Sequence, residues 1–501
     1  MTQSSTTNPG RATKTLMLGV DAGDLAFIQG HEHRLPVFRR LLHAGNLRRL
    51  ETTSGLLSGS VGPTFYTGLQ PGAHGIYHQL QWDQKQMRSR RVSAAWLYRE
   101  PFWYELARNG VRVTVVDVPM VFSSRLDQGT EVVNWGSQER LIPFHCNRPE
   151  LTRDIRRCFG RHAMRAEIPV TKTHGQLARI RRDLIRGAGQ KGALIRYLMA
   201  HTEWDFLLAV FGECHQGGHT LWPAANPASA APTDALLDVY RSIDRALGAI
   251  LEAVDTATTQ VILFSLHGMQ ANTSQEHFVA PVMQRINSLY ARRTLPGGPK
   301  PARQRSLMRL LRDHLPARLQ HAVAQGVPVE VRDWVVNRAT SAGYQWERTP
   351  AFPLRTDNNG YLRFNFKGRE SAGWLQSGSP EYLGYRDWLT AGFRGLRTSD
   401  GGVPLVAELV TTAEVFPGEH SDKLPDLIVS WNQQPPATQV ESATLGRFSA
   451  RPDSGRSGYH RHEGFVAVQG PGQDAAEWQS VNHIKDLAPR LLDSFLGPAT
   501  S

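Results

Sequence analysis

The chain has 501 residues, 40% hydrophobic, 9% aromatic and 20% charged. That is enough apolar material for a large buried core, and it excludes fibrous and wholly disordered states. Basic residues outnumber acidic ones 57 to 45, an excess that favours acidic partners such as phosphate esters or nucleic acid and says nothing about fold. Cys146, Cys158 and Cys214 stand at unrelated spacings, which gives neither a disulfide framework nor a cysteine zinc site.

Taken in chain order, residues 1–13 are polar and read as a disordered leader. The apolar run after them, Leu16 to Val20, is too short for the core of a signal peptide. No stretch approaches the ~20 apolar residues that span a bilayer, so the expectation is a cytoplasmic protein that makes no use of a membrane. Thr15–Gly23 reads as a buried parallel strand whose carboxyl end, carrying Asp21, opens onto a site. Leu35–Gly45 has helical spacing. Val111–Pro119, Glu131–Trp135, Asp205–Glu213, Gln260–Gly268, Pro425–Trp431 and Gly464–Gly472 are further strand-like runs. Thr233–Val254 is the clearest amphipathic helix.

Apolar strands alternating with helices predict an α/β fold, a mostly parallel sheet sandwiched by helices. Residues 281–344 interrupt the alternation. Between Arg285 and Tyr344 eleven basic residues face three acidic ones, and the segment reads as an Arg-rich helical insertion or cap. Its charge is compatible with a solvated face, with guanidinium groups gripping an anionic substrate, or with nucleic acid. The last has the least support, because no aromatic interleaving or known module accompanies the charge. Asp357–Glu370 carries NG and KG turn signals of a hairpin. The predicted organisation is a core of 14–280 and 345–497 with the 281–344 insertion between.

Metal-ligand residue types cluster at or near strand ends. Asp21 follows the first strand. His215 and His219 occupy GECHQGGHTLW, His267 lies in FSLHGM, and His460 lies in SGYHRHEG just before the last strand. The i, i+4 spacing of His215 and His219 places both imidazoles on one helical face, as a zinc ion requires. GLLSGSVGPTFYTGLQPGAHGIYH, from Gly55 to His78, is crowded with hydroxyls and glycines. It reads either as a surface loop or as the carrier of a Ser or Thr nucleophile beside a cation.

The sequences VDAGD, TGLQPGAHGIY, E-x-H-x-x-G-H-x-x-W, S-x-H-G-M, PDLIVSW and G-Y-H-R-x-E-G-F-x-A-x-x-G-P-G occur in this order. The ordered set resembles the alkaline phosphatase superfamily, and within it the type I phosphodiesterase/nucleotide pyrophosphatase family; LRFNFKGRE resembles a stretch common in that family. The resemblance spans about residues 15 to 495 apart from the Arg-rich segment. It implies an alkaline-phosphatase-like sheet with two metal sites and a Ser or Thr nucleophile that is transiently esterified.

Carried onto this chain, the resemblance makes Asp21 a metal ligand and Ser58 the nucleophile, nine residues before Thr67. Ser60 is the fallback and Thr64 a weaker one. His219 and His460 match two histidines of one metal site, and His267 the histidine of the other. Two positions depart from the pattern: His215 and Leu266 stand where the family usually has Asp. His215 still binds metal, as a neutral ligand; Leu266 cannot.

With Asp21 as the sole anionic ligand, one divalent ion leaves the net charge that two ions leave among three aspartates. The expectation is therefore one well-held Zn2+ on His215, His219 and His460, and a weak or absent second divalent metal at Asp21, Ser58 and His267. Glu213 is expected to orient a histidine. Cys214 reads as structural, and Asp24 as a helix cap. His74, His78 and His462 fall at no matched position.

The expected activity is metal-dependent hydrolysis of a small anionic phosphate ester, of phosphodiesterase or nucleotide pyrophosphatase type, through a seryl-phosphate intermediate. The alternatives are a sulfate-ester or phosphomonoester hydrolase of the same superfamily, or a non-catalytic relative that binds a phosphate ester. Composition and spacing leave the oligomeric state open.

Overall fold

The computed structural model describes residues 14–122, 125–136, 143–164, 172–223, 234–294, 344–356, 358–452, 455–472 and 474–498. The leader 1–13 and residues 295–343 of the Arg-rich segment lie outside the described residues. The start of that segment belongs to a helix, Val279–Thr294.

Among the described residues the central sheet has eight strands: β1 (Lys14–Val20), β2 (Asn46–Glu51), β3 (Val113–Val116), β4 (Thr130–Val133), β5 (His145–Cys146), β6 (Phe206–Phe211), β7 (Thr259–Ser265) and β8 (Glu463–Gln469). Their spatial order is β2-β8-β7-β1-β6-β3-β4-β5. The inner five, β7 to β4, pair in parallel, while β8 and β5 run against their neighbours.

Every residue of β6 and β7 is buried, the mark of a parallel sheet covered on both faces. In β1, Leu16, Leu18 and Val20 enter one apolar layer and Met17 the other. Helices Pro36–Ala44, His174–His201 and Ala235–Leu251 cover the first face. Val61–Thr67, Phe102–Arg108 and Leu487–Leu496 cover the second. This is the mixed α/β architecture that the apolar alternation predicts.

The structure departs from the sequence expectations in particular places. β2, NLRRLE, is polar enough to escape a search for apolar runs, because it lies at the edge beside β8 and most of its residues are only partly buried. Pro425–Trp431 does form a strand, Leu427–Trp431, but outside the central sheet. It joins an antiparallel four-stranded sheet with Ala351–Leu354, Gly360–Phe364 and Val406–Thr411. The NG turn makes a hairpin whose first arm is Ala351–Leu354, upstream of the segment expected. This second sheet packs on Val279–Thr294 and Pro380–Arg394 around its own apolar cluster. No helix among the described residues is long and apolar enough to cross a membrane.

A fully buried ion pair joins the sheet to the longest helix among the described residues. Lys191, on His174–His201, meets the Asp117 carboxylate, and both side chains are essentially inaccessible. Asp117 also accepts the backbone N–H groups of Trp135 and Gly136, both at 2.7 Å. Removing the cation leaves a buried carboxylate with no countercharge at that position. Lys191→Met is therefore expected to destabilise the fold by about 3 kcal/mol, measured by urea unfolding.

Candidate metal centre and nucleophile

The site lies where three adjacent parallel strands, β7, β1 and β6, end. Asp21 follows β1 directly, and its backbone N–H donates to Phe211 O at 2.9 Å. β6 runs almost at once into helix Glu213–Leu221, which presents His215 and His219 one turn apart. β7 ends at Ser265, and His267 follows. Gly268–Ala271 then pairs antiparallel with Gly458–Arg461, bringing His460 opposite Met269. An imidazole 241 residues from His219 in sequence thus reaches it through a two-stranded ribbon.

The three imidazoles converge on one point. His215 Nε2 is 3.1 Å from His219 Nε2 and 2.8 Å from His460 Nε2, and the remaining pair is 3.2 Å apart. The partners of the other ring nitrogens assign the tautomers. His219 Nδ1 lies 2.9 Å from the carbonyl of Gly458, which only accepts, so that nitrogen carries the proton. His215 Nδ1 lies 2.6 Å from Asp21 Oδ2 and carries the proton there too.

Both Nε2 atoms therefore offer lone pairs to the same small volume. A single N–H on His460 could satisfy only one of them. A cation between them satisfies all three, and tetrahedral zinc–imidazole geometry would space the nitrogens by about 3.3 Å. The residues present thus fit a divalent ion. Burial, followed by the three neighbouring imidazoles, holds the pKa of His460 well below the usual histidine range, which keeps it in the neutral, metal-ligating form.

The ribbon reaches the helix only because position 458 is glycine: a Cβ there would stand 2.3 Å from Gly218 O and 2.8 Å from Trp222 Cβ.

Asp21, His215 and His267 form a second group of ligand types. Asp21 Oδ1 is 3.5 Å from His267 Nε2. Burial would raise the Asp21 pKa, but contact with His215 and His267 outweighs it and holds the carboxyl well below its usual range. Leu266 is buried in the apolar layer with Met17 and Val210.

The hydroxyl-rich segment separates its candidates by environment. Ser60 and Thr64 are completely buried, whereas Ser58 keeps 9% exposure. The Ser60 hydroxyl lies 2.6 Å from Leu57 O and 2.7 Å from Thr53 Oγ1. The Thr64 hydroxyl lies 3.0 Å from His74 Nε2. The Ser58 hydroxyl has no hydrogen-bond partner among the described residues. Its turn is fixed from two sides. Ser54 Oγ donates to Arg461 O at 2.9 Å, beside His460. Asn359 and Tyr361 of the second sheet donate to the carbonyls of Gly55 and Leu56 at 2.6 and 2.9 Å.

Glu213 meets His162 Nε2 at 3.1 Å in a fully buried contact, where a histidine of the metal group was the expected partner. The partners that do orient His215 and His219 are Asp21 and the Gly458 carbonyl. A backbone carbonyl leaves no residue-type signal, so sequence reasoning could not find the second. Cys214 is buried against Tyr240, and burial pushes its thiol pKa up. Asp24 caps its helix through Phe27 N–H at 2.7 Å.

Gly458→Ala should push the ribbon off helix Glu213–Leu221 and separate His460 from the other two rings. The expected cost is about 1–3 kcal/mol of stability, read as a lowered thermal midpoint.

A family model described as type I phosphodiesterase/nucleotide pyrophosphatase matches residues 15–331, well over half of the chain. The matched span holds Asp21, Ser58, His215, His219 and His267. No curated protein matches. Among solved structures, phosphonoacetate hydrolase from Sinorhizobium meliloti 1021 in complex with phosphonoformate is similar at 12% identity and a TM-score of 0.52, covering 96% of this chain and 95% of that one. The same hydrolase with phosphonoacetate gives 12% and 0.50 over the same shares. Inactive murine ectonucleotide pyrophosphatase/phosphodiesterase 5 in complex with AMP gives 11% identity and 0.49, over 97% of this chain and 96% of that one. At these identities the likeness concerns the fold. The chain belongs to the type I phosphodiesterase/nucleotide pyrophosphatase family, whose members are hydrolases acting on phosphoester bonds.

Proposed function

We propose that this protein is a divalent-metal-dependent hydrolase of small anionic phosphate esters, of phosphodiesterase or nucleotide pyrophosphatase type, with Ser58 as nucleophile. The observation that carries the reading is the convergence of His215, His219 and His460 through nitrogens whose lone pairs face one another. Those residues would hold the ion, and borderline-soft imidazole donors favour zinc. A bound divalent ion supplies Lewis-acid polarisation of a phosphate oxygen.

The chain's own residues do the rest. Ser58 is the one hydroxyl of the three candidates with exposure to meet a substrate, since Ser60 and Thr64 are fully buried in contacts that shape the turn. Ser58 opens the helical run Ser58–Ser60 and Val61–Thr67, so the positive end of the helix dipole lies beside the oxygen that gains negative charge. In the first step the bond from Ser58 Oγ to phosphorus forms and the ester bond to the leaving alcohol breaks. Water then attacks phosphorus and Oγ leaves, which frees the serine. The ribbon and the second sheet both bond to this turn, so the nucleophile does not have to be ordered at the moment of reaction.

With bis-p-nitrophenyl phosphate as substrate, Ser58→Ala is expected to lose turnover by a factor on the order of 10³ or more, while metal content stays at the wild-type level. Full activity in that variant would remove Ser58 from the mechanism. His219→Ala takes away one of three nitrogens and is expected to weaken divalent-metal affinity by more than about 100-fold, judged against ligand-orienting substitutions, which cost 10–100-fold; competition with a chromophoric chelator measures it. Wild-type protein loaded with zinc that retains a phosphate ester without cleaving it would assign the chain a binding role, which is the reading that Leu266 favours.

A further inference from the structure

We propose that this chain holds one metal ion tightly where the family resemblance implies two, and that Asp21 is the positioning residue of the three-histidine centre rather than a ligand of a second ion. The inference rests on the reading of His215, His219 and His460 as metal ligands.

His215 faces two ways. Its Nε2 belongs to the converging set, at 2.8 and 3.1 Å from the other two nitrogens. Its Nδ1 stands 2.6 Å from Asp21 Oδ2. A neutral imidazole has one proton and one lone pair. With the lone pair directed at the metal centre, the proton lies on Nδ1 and donates to the carboxylate. This is the carboxylate–histidine–metal arrangement that fixes ring orientation and raises ligand basicity. For His215 to serve a second ion as well, the ring would have to give up its last proton, and Asp21 would lose the bond that occupies Oδ2.

The donors left for a second ion are few. Asp21 Oδ1 and His267 Nε2, 3.5 Å apart, are the two remaining protein atoms of that group once the His215 proton is placed. Leu266, which precedes His267 and fills the position where the family carries Asp, has no donor atom and is buried in the apolar layer. The first position thus has three nitrogens and a hydrogen-bonded carboxylate behind one of them. The second has these two donors besides the Ser58 hydroxyl that the resemblance assigns to it, and the carboxylate's other oxygen is already engaged.

Asp21 is also placed for an orienting role by the fold rather than by an ion. Its backbone is pinned to β6 through the bond to Phe211 O, and His215 follows β6 four residues after Phe211. The carboxylate and the imidazole are therefore brought together by the pairing of two neighbouring strands.

The test is metal analysis of wild type, Asp21→Asn and Asp21→Ala after saturation with Zn2+ and gel filtration, with zinc affinity from chelator competition and the visible spectrum of the Co2+-substituted proteins. The expected result is one ion per chain in all three. Affinity should fall in the order wild type, Asn, Ala, and by 10–100-fold for Ala. Asn keeps an oxygen that accepts the His215 proton, so it rescues part of the loss, and the Co2+ spectrum stays that of one four-coordinate centre. Two ions in the wild type, with one lost in Asp21→Asn, would overturn the inference and leave the three-histidine centre standing. One ion whose affinity is the same in all three proteins would overturn the positioning role. No zinc in the wild type would overturn the metal-dependent reading itself.

Discussion

Two unshared electron pairs pointed at each other inside a protein are unstable unless something positive separates them. His215 and His219 are locked into that confrontation by the groups behind them, a carboxylate and a backbone carbonyl, and His460 closes the triangle. The surrounding fold can be understood as the means of holding this arrangement. Adjacent strand ends supply Asp21, the His215–His219 helix and His267, a ribbon supplies His460, and a glycine lets the ribbon and the helix touch.

The second sheet has a separate task. It contributes none of the converging imidazoles, yet through Asn359 and Tyr361 it grips the turn that carries Ser58. The nucleophile candidate and the metal candidate are therefore held by different parts of the molecule that meet at the strand ends. Ser54 makes the connection, bonding to the backbone one residue after His460. A displacement of either body would move the turn that carries Ser58 relative to the three imidazoles. Chemistry of this kind is sensitive to such a change at the scale of an ångström.

Much of this was legible in the residues. The buried strands announced themselves as continuous apolar runs, since both faces of β6 and β7 are covered. The His215–His219 spacing foretold one helical face, and the ordered motifs placed Asp21, His267 and His460 at the same end of the sheet. What stayed hidden has physical reasons. β2 is an edge strand and carries arginines that half-face water. The strand Leu427–Trp431 is as apolar as a central-sheet strand, and its membership of an antiparallel sheet depends on partners about 20 and 70 residues upstream, which no local pattern encodes. The spacing from Thr67 pointed to Ser58 ahead of Ser60 and Thr64, but the hydrogen bonds that occupy the latter two hydroxyls leave no mark in residue type. Glu213 was expected to orient a histidine, and residue type could not say that its carboxylate turns to His162.

The distance in sequence between His219 and His460 has a consequence for how the protein is made. A chain emerging from the ribosome presents Asp21, His215, His219 and His267 long before the ribbon strand that bears His460 exists. Until then the helix offers two nitrogens at most, a weak and unselective trap for passing ions. The centre can close only once the chain has been synthesised past His460 and the ribbon has folded onto the helix. Metal uptake by such a centre would thus follow synthesis of the ribbon strand, and the compartment in which folding finishes, rather than the one in which synthesis starts, would decide which ion it receives.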